Sequence, residues 1–366
     1  MLVKLQASRN ACYSLNGEME GRRMKAMVLR EFGPPDNLAM EEVERPEPRP
    51  GWVVIAVAAV SVNRTLDLAV RAGRYPRPIA LPHVLGVDPA GVIVAVGDGV
   101  GSRKVGDRVV TYPILKPAAG SQGPTLLGVQ SWGGYAQFVT VPEEATHLVP
   151  GNLGLAEAVV IARHAPMAFH LLADKAQLDE GQTVLVMGAS GGLGSAGVQV
   201  AKLLGASVIA GAGSNARVTS AVKSGADFGV NYREDDLEVE VMKLTNGRGV
   251  DVVFENVSDP VLFPKALACL ARGGRLVTAG SHGGGVVPLD VSRLYMRQLT
   301  VIGSTGQRPI DTERSLAAAA EGRIKADIAL MLPLEAAAEA HQLLETGEVT
   351  GKIVLVVDAE QLPAVR

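Results

Sequence analysis

Two kinds of hydrophobic patterning follow one another along the chain. From Met24 to about Val149, short apolar and β-branched runs recur at Met24–Leu29, Gly51–Ala59, Gly91–Gly97 and Asp107–Val110. Proline and glycine bound them: Arg45–Gly51 alternates Pro with charge, and Gly97-Asp98-Gly99 and Gly106-Asp107 read as turns. Strands this short and this regularly interrupted predict a barrel or sandwich. A Pro/Gly/Gln-rich stretch over 113–131 breaks the pattern. Trp132–Pro142 then resumes as a strand, and Leu155–Leu172 becomes Ala-rich and helical. From Thr183 to Gly303 the period alternates between two and 3.6. Strands are expected at Thr183–Gly188, Ser207–Ala210, Val250–Glu255, Gly274–Ala279 and Leu299–Gly303, with helices at Gly194–Leu204, Asn215–Ser224 and Val261–Leu270. That alternation predicts a doubly wound parallel sheet. An amphipathic helix at Leu334–Glu345 and a strand at Gly351–Val357 follow, as a tail that completes the first domain.

The first of these strands runs into a glycine-rich turn, Gly188-Ala189-Ser190-Gly191-Gly192-Leu193-Gly194, and then a small-residue helix. Backbone N–H groups at such a helix start form a seat for a pyrophosphate. Against the dinucleotide pattern G-x-G-x-x-G, the six residues Ala189–Gly194 carry alanine at the first glycine. The second strand ends in Gly211-Ala212-Gly213-Ser214-Asn215-Ala216-Arg217, with none of the acids that bind a ribose diol in NAD sites. Ser214 and Arg217 would instead accept a 2′-phosphate through charge-assisted hydrogen bonds.

Composition narrows the field. The chain has 366 residues, 47% hydrophobic and 20% charged, at a net charge of −3, so a two-domain globular protein is expected and nucleic-acid binding has little electrostatic support. Two cysteines, Cys12 and Cys269, are too few for a disulfide framework or a four-cysteine zinc lobe. No apolar run reads as a membrane span of about 18–20 residues. Residues 1–23 mix charge and polarity without a signal-peptide core and read as a mobile extension. A cytoplasmic protein is expected.

In order along the chain, Met24-Lys25-Ala26, Ser61-Val62-Asn63-Arg64-Thr65-Leu66-Asp67, Val105-Gly106-Asp107-Arg108-Val109, Gly133-Gly134-Tyr135-Ala136, Gly225-Ala226-Asp227, Gly273-Gly274-Arg275-Leu276-Val277 and Val301-Ile302-Gly303-Ser304-Thr305 match landmarks of one family. The chain resembles the medium-chain dehydrogenase/reductase superfamily from about Met24 to Val357, nearest the zinc-free quinone oxidoreductase-like and alcohol dehydrogenase-like members. The resemblance implies an α/β fold, a GroES-like β-barrel catalytic domain plus a Rossmann doubly wound parallel-sheet cofactor domain. Its expected boundaries are 24–156 with 309–366 for the first and 157–308 for the second. In relatives that use NADP, a basic residue and a tyrosine fifteen positions apart hold the 2′-phosphate, and Arg217 and Tyr232 have that separation. NADPH is the expected cofactor. Asn256, Gly280, Ser281, Ser304 and Thr305 follow strand ends and should line its trough.

By the same resemblance the zinc ligands of metal-dependent members align with Asn63, Val87 and Arg163, none a usual zinc ligand, and Asp88 alone keeps an acid. His83, His147, His164, His170, His282 and His341 are scattered. No metal is expected. Without a Lewis acid, hydride addition to a quinone or α,β-unsaturated carbonyl is the easier chemistry, since its oxyanion needs only hydrogen-bond donors. Candidate catalytic residues are Asn63, through its amide N–H, Tyr75, where quinone oxidoreductase-type members place a tyrosine, and Asp67, which braces the Asn63 loop. Met167 stands where many relatives carry a threonine beside the nicotinamide, and cannot donate that hydrogen bond. The alternatives are a metal-free aldehyde or ketone reductase, and an NADPH-binding protein with little turnover. Partners are a small quinone, enone or carbonyl compound, with no nucleic acid or membrane, and a second copy of the chain through the Leu299–Gly303 edge.

Overall fold

The computed structural model describes residues 22–115, 125–347, 349 and 351–362. The expected extension therefore lies, but for its last two residues, outside the described residues, as does Cys12.

Trp52–Val62 is the central strand of the first half. Its sequence WVVIAVAAVSV has no polar alternation, because both faces are covered. It pairs with Ala90–Val96, Phe138–Pro142 and Lys352–Val356, all antiparallel. The sheet continues outward through Arg108–Thr111 to Thr146–Leu148 on one side and Ile328–Pro333 on the other. A smaller sheet of Leu38–Glu44, Arg23–Leu29 and His83–Val84 closes the GroES-like unit. The register Ile353↔Val62 matters most for function. It brings Lys352, near the C-terminus, beside Asn63.

The second half is a six-stranded, all-parallel sheet. Its order is Phe228–Asn231, Ser207–Ala212, Thr183–Met187, Val250–Glu255, Leu270–Thr278, Thr300–Gly303. The order reverses between Thr183–Met187 and Val250–Glu255, and ligands of such sheets bind at that crevice. The buried TVLVM sequence of Thr183–Met187 suits its place between two strands. The strand expected at Gly274–Ala279 begins earlier, at Leu270, so the preceding helix stops at Ala268.

Between the halves runs the helix Leu155–Phe169, whose start is tied by the Glu157 carboxylate accepting Gly154 N–H at 2.9 Å. Pro166 lies inside it, and a π-helical turn, His170–Lys175, continues it. Pro166 has no N–H to donate, which loosens the ladder at this point. The continuous 21-residue stretch Leu155–Lys175 is long and apolar enough to cross a membrane, contrary to the sequence reading. Yet 72% of its most apolar window is buried inside the fold. Val159, Ala162 and Ala165 share one core with Val184 and Val198 of the parallel sheet layer and with Leu316 and Val354.

Candidate active site

The glycine turn is built one residue earlier than the sequence pattern suggests. Gly188 takes a left-handed φ of +62°, and Gly191 N–H donates to Gly188 O at 3.0 Å. The tight-turn glycine is thus present, and the working pattern is Gly188, Gly191, Gly194, with Ala189 a buried core residue. A Cβ on Gly194 would lie 2.1 Å from Gly188 O, so this glycine sets how closely helix and strand approach. A Cβ on Gly192 would meet His164 Nε2 at 2.6 Å. The helix Gly192–Leu203 starts at Gly191 with no side-chain cap, which leaves its first N–H groups to a ligand. Gly191 and Gly192 are exposed, while Ser190 and Leu193 are half-buried. The loop offers donors, a concave backbone and no competing charge.

At the end of the second strand, Ser214 caps the helix Asn215–Lys223 by accepting Arg217 N–H at 3.4 Å. Arg217 is exposed. A Cβ on Gly213 would lie 3.1 Å from Tyr232 Oη and 3.3 Å from Arg233 Nε, so both side chains crowd this strand end. Arg233 was missed in the sequence because it lies beyond the tyrosine of the family spacing. No Asp or Glu occupies the strand end. The nearby acid, Glu234, accepts from Asn215 Nδ2 at 3.0 Å.

On the other side of the crevice Asn256 Nδ2 donates to Met187 O at 2.6 Å, which ties the two central strand ends together. Gly280 approaches Asn256 so closely that a Cβ would sit 2.2 Å from its carbonyl oxygen. Glu255, fully buried, accepts from Val257 N and Ser258 N, and Ser258 Oγ donates to Gly280 O at 2.6 Å. This buried acid holds the loops that carry Asn256 and Gly280, and nothing in its local sequence distinguishes it from a strand residue. Ser281 and Thr305 are exposed and Ser304 half-buried, with Ser304 N–H donating to Thr278 O at 3.1 Å.

The barrel side is of another kind. Lys352 Nζ and Arg163 Nε both donate to Asn63 Oδ1, at 2.8 and 3.1 Å. Asn63 Nδ2 donates to Asp88 Oδ2 at 3.1 Å and approaches Ser61 Oγ at 3.3 Å. Asp88 also accepts from Ser61 N at 2.9 Å and Ser61 Oγ at 2.7 Å. Asp67 Oδ2 accepts from Asn63 N at 2.7 Å. Ser61, Asn63, Asp67, Asp88 and Lys352 are all buried. The Asn63 amide, expected to reach a substrate carbonyl, has its donor end engaged with Asp88 and Ser61. Burial, then repulsion from Asp88, pushes the Asp67 carboxyl up to about 7, against the Asn63 N–H and Lys352. Burial draws the Lys352 ammonium down to about 8, with Arg163 adding to the effect and Asp88 and Asp67 opposing it. Burial, then the charges of Lys352 and Arg163, holds His164 well below the ordinary imidazole range. Tyr75, half-buried on the following loop, packs against the barrel core, and its hydroxyl makes no hydrogen bond among the described residues. Met167 lies half-buried one helical turn beyond Arg163.

A zinc ion does not fit this arrangement. Val87 is a buried core residue, and the other two aligned positions, Asn63 and Arg163, are bonded to each other. Two cations already converge on one amide oxygen, where a metal would need electron-pair donors. Among the described residues His170, Asp174 and Asp311 do come within ligand distance of one another. Arg308 pairs with both carboxylates, and Arg314 approaches Asp311 at 3.7 Å, so this cluster is an ion-pair network. A nicotinamide dinucleotide does fit: the uncapped helix start, the close-packed glycines and the strand-end crevice supply its seat.

Two family models match the chain, the alcohol dehydrogenase GroES-like domain over residues 49–151 and the zinc-binding dehydrogenase model over 192–321. An NAD-dependent alcohol dehydrogenase of Sulfolobus acidocaldarius is 35% identical over 352 residues, covering 91% of this chain and all of the relative. The human quinone oxidoreductase is 30% identical over 342 residues, covering 91% and 98%. The crystal structure of AibC superposes with a TM-score of 0.88 at 34% identity, over 95% of this chain and 99% of its own. A GroES-like barrel joined to a Rossmann sheet, with this site between them and these relatives along almost its whole length, places the chain in the medium-chain dehydrogenase/reductase superfamily of oxidoreductases, in the branch shared by quinone oxidoreductases and alcohol dehydrogenases.

Proposed function

We infer that the protein is a zinc-independent, NADPH-dependent reductase of quinones or α,β-unsaturated carbonyl compounds. One observation carries this reading: at the positions aligned with zinc ligands, Asn63 and Arg163 are joined with Asp88 and Lys352 in a hydrogen-bond network in which two cations converge on one amide oxygen. Without a Lewis acid, an unactivated alcohol has nothing to lower its pKa, whereas a conjugated acceptor delocalises the incoming charge onto oxygen. The bound cofactor supplies the hydride. The chain's part would be to seat the pyrophosphate at Gly191–Gly194, to bound the cofactor with the Asn256 and Gly280 loops, and to orient the acceptor from the barrel side with Tyr75 as a hydroxyl donor.

NADPH is favoured by what stands at the second strand end. Tyr232 and Arg233 crowd Gly213, Arg217 starts the helix capped by Ser214, and the Glu234 carboxylate accepts from Asn215. A second reading, a protein that binds NADPH with little turnover, is favoured by Met167, which offers no hydroxyl beside the nicotinamide. Reduction of an aldehyde or ketone is the third. A panel of quinones, enones and aldehydes assayed with NADPH and NADH separates the three. Turnover on the first two classes is the expected result, and tight NADPH binding with no turnover on any class overturns it.

We further infer a homodimer. The edge strand Thr300–Gly303 exposes Val301, and Val291, Tyr295 and Met296 beside it are more than half exposed. An unpaired parallel edge with apolar neighbours is a pairing surface for a second copy. A monomeric mass by light scattering would count against it.

A further inference from the structure

The network that displaces the metal leaves one group unfinished. Arg163 Nε donates to Asn63 Oδ1 at 3.1 Å, and the nearest carboxylate, Asp88 Oδ2, lies at 3.9 Å. Neither Nη nitrogen has a hydrogen-bond partner among the described residues, and neither is among the buried unpartnered atoms. The Nη edge therefore faces open space, in keeping with 18% side-chain exposure. Its place in the fold is specific. The next residue, His164, packs against Gly192 of the cofactor turn, and Met167 follows one turn along the helix. Arg163 thus stands at the seam of the two domains, with its inner edge anchored in the barrel and its outer edge unoccupied.

We propose that the free Nη edge of Arg163 is the oxyanion anchor of the active site, a fixed guanidinium that takes the electrophilic role a metal has elsewhere in the superfamily. This deepens the reductase reading and rests on it. The substrate class it selects is a conjugated carbonyl whose oxygen carries negative charge in the transition state. The reduced nicotinamide, when bound, would supply the hydride, its C–H bond breaking as a C–H bond forms at the β-carbon. The C=C π pair shifts to make the enolate C=C, and the C=O π pair moves onto oxygen, facing Arg163. Solvent then protonates the α-carbon: the enolate C=C pair takes the proton and an oxygen lone pair re-forms C=O, so the hydride and one proton supply the two electrons and two hydrogens gained, and the cofactor is left oxidised. Anchoring also explains the second cation. Lys352 shares Asn63 Oδ1 with Arg163 and fixes the amide that fixes the guanidinium, so Lys352 is a positioning residue. A planar guanidinium held by one edge offers its other edge in a set direction, which a lysine at the same position would not do.

The test uses the full-length enzyme and Arg163→Leu, Arg163→Gln and Arg163→Lys, each with three readouts. Circular dichroism melting and NADPH fluorescence titration report fold and cofactor seat, and both should stay within about twofold of wild type. On a cyclic enone, kcat/KM should fall about a hundredfold in the Leu and Gln variants and about tenfold in the Lys variant, mostly in kcat, the span expected for losing one oxyanion donor. The third readout needs no turnover: p-nitrophenol titrated into the enzyme–NADP+ complex should bind as the phenolate, with its apparent pKa lowered in wild type and not in Arg163→Leu. Leu and Gln variants that fold, bind NADPH and retain kcat/KM within about threefold of wild type overturn the anchor and leave the reductase reading standing. Arginine-dependent phenolate binding in a protein that reduces none of the panel overturns the reductase reading and keeps the anchor. Absence of both overturns both.

Discussion

The two walls of the cleft are made by opposite means. The cofactor wall is written in backbone: Gly188 turns at φ +62°, Gly194 lets helix meet strand, and uncapped N–H groups wait at the helix start. The first N–H groups of that helix have no side-chain cap, and the side chains of Asn256 and Glu255 serve to hold the strand ends and loops. The substrate wall is written in side chains, with buried Ser61, Asn63, Asp67, Asp88 and Lys352 joined into one network that the half-buried Arg163 enters through its Nε. A wall of the first kind binds by geometry and tolerates changes of charge. A wall of the second kind is sensitive to the loss of any one charge, because its partners cannot be resolvated. Substitutions that treat the two walls alike should therefore give unlike results.

The largest expected effect is on the substrate wall. Asp88→Ala removes the acceptor of Ser61 N, Ser61 Oγ and Asn63 Nδ2 and leaves Arg163 and Lys352 without their nearest full counter-charge. Breaking a buried ionic network costs about 3–5 kcal/mol. Urea unfolding should show that loss as a lower midpoint with unchanged slope. Next is the cofactor wall. Gly194→Val should weaken NADPH binding by a hundredfold or more, about 3 kcal/mol, because the added carbon meets a backbone oxygen that cannot move aside. Gly191→Ala is the control, since its Cβ would have only Gly188 O nearby, at 3.4 Å. Fluorescence titration of both variants distinguishes a fitted turn from a merely flexible one. Equal affinities would break the comparison.

Sequence legibility divides along the same line. The parallel sheet and the pyrophosphate turn could be read because their signals are local: an apolar run, a glycine cluster, a helix within about twenty residues. Even there the pattern slipped by one residue, since only the backbone conformation reveals Gly188 as the turning glycine. The short strand Leu38–Glu44 was not seen because its sequence, LAMEEVE, is acidic and half-exposed. The substrate wall could not be assembled from sequence at all. Asn63, Arg163 and Lys352 lie a hundred or more positions apart and meet only through the register Ile353↔Val62 and the placement of the linking helix. The family resemblance named Asn63 and Arg163 as places where zinc ligands were missing. That absence gave no hint that an arginine and a lysine converge there.

A smaller effect sharpens how the network is charged. Asp67 holds its proton up to about 7 in the folded protein, because burial and Asp88 disfavour its anion. In the unfolded chain it ionises in the ordinary carboxylate range. The folded state thus binds more protons between the two values, and its stability falls as pH rises through that window and levels off above it. The stability lost across about pH 5–7 should amount to about 2 kcal/mol. Asp67→Asn should flatten this part of the profile, as read from urea midpoints at several pH values. A profile unchanged by the substitution would mean that Asp67 is ionised throughout, locked as the partner of Lys352.

The smallest effect tests the place where the cofactor wall would choose its ligand by side chains. Ser214 accepts Arg217 N–H with its oxygen as a helix cap, which holds the hydroxyl at the strand end with its own hydrogen still free to donate to a phosphate. The charge of such a phosphate falls to the exposed guanidinium of Arg217 and to Arg233, with Tyr232 beside it at Gly213. If charge pairing selects NADPH, Arg217→Ala should lower the ratio of kcat/KM for NADPH over NADH by about tenfold, or 1.4 kcal/mol, with the NADH value unchanged. The effect should shrink as salt rises, since the pair is exposed and screened within about a Debye length. Arg233→Ala should give a similar, smaller loss, and the double variant should lose less than the sum if both reach one phosphate. A ratio insensitive to Arg217, Arg233 and salt would place cofactor choice in the backbone, and then both the turn and its specificity would be of the first kind.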